Sequence, residues 1–105
     1  MINALANTHL ALMMQGNDAL LTELVDHFVG NTPALIDHLE KALIARDFQA
    51  IFGIAERLNS SFRLMNVTEA MELLGALNPD AIRGMSKEDC VELSDRLMRF
   101  VAAFE

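Results

Sequence analysis

Twelve residues near the middle of the chain, Ala55-Glu56-Arg57-Leu58-Asn59-Ser60-Ser61-Phe62-Arg63-Leu64-Met65-Asn66, constrain its fold more than any other stretch. On a helix turning by about 100° per residue they divide into two faces. Leu58, Phe62 and Met65, with Ile51, Ile54 and Ala55 just upstream, gather on one side as a core face. Glu56, Asn59, Ser60 and Arg63 gather on the other, at i, i+3, i+4 and i+7, as a polar stripe. A helix built this way needs partners for one side only.

The rest of the chain offers such partners. It has 105 residues, enough for one core and too few for two, so a single domain over residues 1–105 is expected. Leu, Ala, Met and Glu are common and β-branched residues sparse, which favours helix throughout. Tyr and Trp are absent, so six Phe and seven Met must supply the bulky part of the core.

The formal net charge is −7, from fifteen acidic and eight basic residues. That balance opposes binding to nucleic acid, where Lys and Arg neutralise phosphates. It equally opposes docking on an anionic membrane. A solvated acidic surface that keeps the domain soluble is the plain explanation. The N-terminus lacks a basic n-region and no apolar run is long enough to span a bilayer, so a cytoplasmic protein is expected. The lone Cys90 fits a reducing compartment and, with no nearby His partner, reads as a small buried hydrophobe.

Along the chain, Asn3 to Met14 reads as a short helix, and Gly16-Asn17-Asp18 breaks and recaps it. A long amphipathic stretch follows from Asp18 to about Ala45. Gly30 and Pro33 interrupt it, yet Leu24, Phe28, Leu35 and Leu39 stay in phase, which favours one kinked helix over two. Asp47 has the character of an N-cap for a helix from Phe48 to about Met65. Asn66 tolerates the left-handed conformation that would stop it. Asn66 to Glu69 also has capping-box spacing for a further helix through Leu77, which Asn78-Pro79 ends. After a loop through Gly84, Ser86 caps a last helix carrying Cys90, Leu93, Leu97, Phe100, Val101 and Phe104. Helices with short connections pack most simply as an all-α, antiparallel up-down four-helix bundle, here with a short extra helix at the N-terminus.

The central stretch resembles the signature of histidine-containing phosphotransfer (HPt) domains, Ala-His-x-Leu-Lys-Gly-Ser. Ala55, Leu58 and Ser61 match it. The family's phosphoacceptor His is Glu56 here, its Lys is Asn59, and its Gly is Ser60. The likeness extends to Phe28 in the long helix, to Leu39-Glu40-Lys41-Ala42-Leu43 near its end, and to Asp47 nine residues before Glu56. It covers roughly residues 18–78, and a family Gly falls at Asn66.

The resemblance implies a bundle whose chemistry is gone, so no enzyme and no cofactor are expected. An HPt domain needs an exposed neutral imidazole to take the phosphoryl group from a receiver domain's aspartyl-phosphate. A carboxylate is a poor nucleophile for that task and would give a mixed anhydride no more stable than the donor. The family's Lys offsets phosphoryl charge, and Asn59 carries none. Ser60 adds a side chain where Gly permits close backbone approach. Glu56 is also a poor mimic of a phosphorylated His, with one charge against nearly two. The function implied is a non-catalytic interaction module of two-component signalling. It would dock a receiver domain or histidine kinase through Phe52, Glu56, Asn59, Ser60 and Arg63.

Each of these residues also has a plainer explanation. Glu56 fits a solvated helix residue, paired with Arg57 or Arg63 at little gain. Phe52 lies one turn before Glu56 and projects towards the polar side. It either offers a partner an apolar anchor or, like most Phe, bends into a groove between helices. His9, His27 and His38 suit exposed surface positions. His27 and His38 share a face of a continuous helix but stand about 16 Å apart along its axis, too far to hold one metal. No phosphate loop, Cys-x-x-Cys or His-Glu-x-x-His pattern is present. Two other functions stay open: a helical assembly domain such as a homodimer, and a phosphotransfer protein using a relocated histidine.

Overall fold

The computed structural model of the chain describes residues 18–105. The expected helix from Asn3 to Met14, the Gly16-Asn17 break and His9 lie outside the described residues. Within them the chain is all-helical, with no strand. Five helices follow one another: α1 (Asp18–Ala45), α2 (Phe48–Leu64), α3 (Thr68–Gly75), α4 (Pro79–Arg83) and α5 (Lys87–Ala102). None of them is long and apolar enough to cross a membrane.

The stretch interrupted by Gly30 and Pro33 is one helix, with Pro33 inside it. Its 28 residues rise by about 1.5 Å each, which makes α1 nearly as long as the molecule's 46 Å long axis. Pro33 has no amide hydrogen to donate to the Val29 carbonyl, a loss the flanking turns tolerate because α1 is held by packing along its length. Its buried seam runs Phe28, Thr32, Ile36, Leu39, Ala42 and Leu43. Ile36 is fully buried in it, and the expected stripe is in phase: Phe28 and Leu39 are buried, and Leu24 and Leu35 are half-buried against the core. Leu35 and Ile36 both lie within the apolar arc two turns from Phe28, and the facing helices select Ile36.

Both α2 and α5 pack on α1. The Phe28 ring meets Phe62, near the end of α2, edge-on at 5.7 Å, and Phe104, just past α5, at 5.3 Å. Edge-to-face rings at such spacings add to their area burial. The Arg46 guanidinium, at the other end of α1, donates to the Met85 carbonyl just before α5. Both α2 and α5 therefore run antiparallel to α1. The packing of α3 is against α2, with a lesser contact to α5. At the far end of this layer, the Arg83 guanidinium of α4 stands 5.4 Å over the Phe48 ring that opens α2.

Two turns share one backbone solution. After α1, the Arg46 amide bonds the Leu43 carbonyl at 3.2 Å and the Asp47 amide bonds Ala42 at 3.0 Å. After α2, Asn66 bonds Arg63 at 3.0 Å and Val67 bonds Phe62 at 2.9 Å. Each pair is a Schellman stop, which needs a left-handed residue between helix and exit. Arg46 and Asn66 provide it, with φ of 58° and 56°. Asn66 was legible as such a residue. Arg46 was not, because a left-handed Arg is costly unless its side chain is held. Here it is, by the Leu43 carbonyl at 2.9 Å as well as by Met85.

Two expected helix ends are corrected. Asn66 does not form a capping box with Glu69: α3 begins after Val67, with no side-chain cap. One residue cannot serve both as the left-handed exit of α2 and as the extended N-cap of α3. Asn78-Pro79 does not end α3, which stops at Gly75; it opens the extra helix α4 instead. Asn78 Oδ1 accepts from the Ala81 amide at 2.9 Å, and Pro79 sits in the first turn, where its missing N–H costs nothing. The expected cap at Ser86 is present as a full capping box with Asp89.

Candidate functional site

Helix α2 presents the polar stripe because its opposite side is committed to the core. Asp47 starts the helix, its Oδ1 accepting from the Ala50 amide at 3.2 Å. Ile51, Leu58 and Phe62, followed by Met65, are completely buried, and Ile54 and Ala55 are half-buried at the margins. That anchors the rotation of α2 about its axis, so Glu56 and Arg63 are exposed.

The structure divides the residues expected to form one docking surface. Phe52, Glu56 and Asn59 line an open groove of about 610 Å³ between α2 and α3. Ser60 and Arg63 are exposed but do not line it. Ser60 turns its hydroxyl back along the helix, donating to the Glu56 carbonyl at 3.2 Å, and Ser61 does the same to Arg57 at 3.3 Å. This is the ordinary local bonding of a Ser within a helix.

Phe52 does not withdraw from solvent as most Phe do; it keeps 39% of its surface exposed while forming part of the groove wall. The carboxylate of Glu56 pairs with neither Arg57 nor Arg63. The ion pairs among the described residues are Lys41 with Asp37 and Arg83 with Asp80, each at 3.0 Å and well exposed. Such surface pairs are worth little.

The far wall of the groove comes from α3 and was missed in the sequence: Thr68, Met71, Glu72, Leu74 and Gly75. Its signal was present as Thr68, Glu72 and Gly75 at i, i+4 and i+7, which places them on one side of a helix. What periodicity does not carry is which side of α2 that face would meet. The α3 wall is an eight-residue helix that follows α2 after a three-residue turn. Glu56 and Glu72 are both exposed, one on each wall.

The remaining candidates lie elsewhere. His27 and His38 are both exposed on α1. Asn31 Nδ2 sits 3.1 Å from His27 Nδ1 and donates to the His27 carbonyl at 2.8 Å. Cys90 is a free thiol, fully buried in the core. Among the described residues, no group of three His, Cys, Asp or Glu side chains is placed to hold a metal ion.

Position 56 thus presents a solvated carboxylate, unpaired among the described residues, on the rim of an apolar groove. An anion of this kind can attract a cation and can order water, but it lacks the neutral nitrogen that phosphoryl transfer to imidazole requires. No protein-family model matches the chain, and no curated protein or solved structure matches it.

Proposed function

We propose that this chain is a degenerate HPt-like domain, a non-catalytic docking module of cytoplasmic two-component signalling. In this proposal the helices form an antiparallel up-down four-helix bundle, with α3 and α4 together as its third pillar. The partner is a receiver domain or a histidine kinase, bound without accepting phosphate and without a cofactor. The observation that carries the proposal is the placement of residue 56. It lies nine residues after the Asp47 cap, at the middle of α2, with its side chain exposed and next to a half-exposed Phe.

A docking site of this kind has physical requirements that the residues meet. Recognition needs an apolar anchor that can be desolvated, and Phe52 supplies one. Discrimination needs charges at the rim, and Glu56 and Arg63 supply both signs. The inward face of α2 holds these groups on a rigid element, so docking has to order side chains but not backbone on this side.

The test is incubation of the chain with a phosphorylated receiver domain and with an ATP-driven histidine kinase. The expected result is a complex detectable by titration calorimetry and no phosphate on the chain. Acid-labile phosphate accumulating on it would overturn the non-catalytic assignment.

A further inference from the structure

The groove between α2 and α3 says more about its occupant than the α2 stripe does alone. Its floor is apolar: Ala55, Met71 and Leu74, none of them exposed, with the exposed part of Phe52 beside them. Its rims are acidic on both sides, Glu56 from α2 and Glu72 from α3, and neither carboxylate has an ion-pair partner among the described residues. From Phe52 to Asn59 the walls run for two helical turns, about 10 Å. Apolar floors flanked by like charges on both rims match a helix with an apolar stripe between two cationic flanks.

We propose that this groove receives a short amphipathic helix of the partner protein, its apolar face on Phe52 and Met71 and its Lys or Arg flanks against Glu56 and Glu72. The identification of that partner as a signalling protein rests on the function proposed above; the chemistry of the seated segment does not. A polyanionic or acidic helix is disfavoured by the same two carboxylates, and a flat charged surface leaves Phe52 wet.

Gly75 gives a clean way to test the groove. A Cβ added there meets nothing within 4 Å, and its φ lies outside the left-handed range. Gly75→Leu therefore adds a side chain to the groove lining at a position where its Cβ meets no neighbouring atom. The probes are two synthetic helical peptides with the same Leu-Ala apolar face, one flanked by Lys and Arg and the other by Glu. They are titrated into the full, isotopically labelled chain and followed by amide chemical shifts.

The cationic peptide is expected to bind roughly tenfold more tightly than the acidic one, the equivalent of two weak charge pairs. Its shifts concentrate on residues 52–59 and 68–75. Glu56→Lys combined with Glu72→Lys removes that preference. Glu92→Lys with Asp95→Lys on α5, which changes net charge equally, leaves it within about twofold. Gly75→Leu abolishes binding at unchanged Tm. Equal binding of both peptides, no binding of either, equal loss from the α5 control, or shifts centred elsewhere would each overturn the assignment.

The same variants separate this inference from the receiver assignment. A receiver domain that binds the chain but ignores Gly75→Leu refutes the groove and leaves receiver docking standing. Peptide binding in the groove with no receiver binding does the reverse.

Discussion

The two sides of α2 are made from one 17-residue helix and obey different constraints. Inward, Ile51, Leu58 and Phe62 have no exposed surface at all. Outward, Phe52 is 39% exposed and Glu56 and Arg63 stand in solvent without ion pairs among the described residues. The inward side answers to packing, where a lost methylene is felt. The outward side contributes little to stability, so its composition is free to serve recognition. An exposed aromatic beside an unpaired carboxylate is what such freedom permits.

The sharpest way to break the comparison is to cut the same residue type on each side. Phe62→Ala removes a fully buried ring that also packs edge-on against Phe28, and the expected cost is about 3–5 kcal/mol. Phe52→Ala, on the same helix, is expected to cost less than about 1 kcal/mol, since much of that ring stays in water when folded. Urea denaturation of both variants measures this. Equal losses would mean that Phe52 is part of the core and not available to a partner.

The two left-handed turns that bracket α2 sharpen the contrast at a smaller scale. Arg46→Gly relieves the backbone but removes the guanidinium bonds that tie the end of α1 to the Met85 carbonyl. The net result is expected to be a loss of about 1–2 kcal/mol. Asn66→Gly relieves the same kind of backbone at an exposed residue, with an expected gain of about 0.5–1 kcal/mol. Melting curves of opposite displacement would show that one turn is held by tertiary contact and the other by local preference. Displacement in the same direction would show that the Arg46 side chain contributes nothing.

That pair of turns also shows how far the sequence could be read. Asn66 was legible because its conformational preference is its own, and so were Asp47 and Ser86, whose capping oxygens act within one turn. The inward face of α2 was legible because helical periodicity alone assigns it. Arg46 was opaque: its role depends on a carbonyl 39 residues away. Helix α4 is opaque because Asn-Pro has two local meanings, a stop for the helix before it and a cap followed by a first-turn Pro for a helix after it. The α3 wall of the groove was half legible. Its stripe is periodic, but which stripe of α2 it faces is a matter of packing and not of spacing. The polar stripe of α2 was found as a set, and the tertiary arrangement divided it between groove and open surface.

The smallest effect on stability tests the largest claim about the outward face. Glu56→His, Asn59→Lys and Ser60→Gly together rebuild the family's signature on α2. None of the three native side chains is fully buried, so the fold should survive. Most of the cost, about 0.5–1 kcal/mol, comes from Gly within a helix. If α2 is a phosphotransfer scaffold whose reactive groups were replaced, the triple variant should take acid-labile phosphate from a phosphorylated receiver while the native chain takes none. Glu56→His alone should do so more slowly, because Asn59 offers no charge to the incoming phosphoryl group. A folded triple variant that binds a receiver yet never becomes phosphorylated would mean that docking does not bring the aspartyl-phosphate to residue 56. The outward face would then be a surface for binding only, unconnected with phosphotransfer geometry.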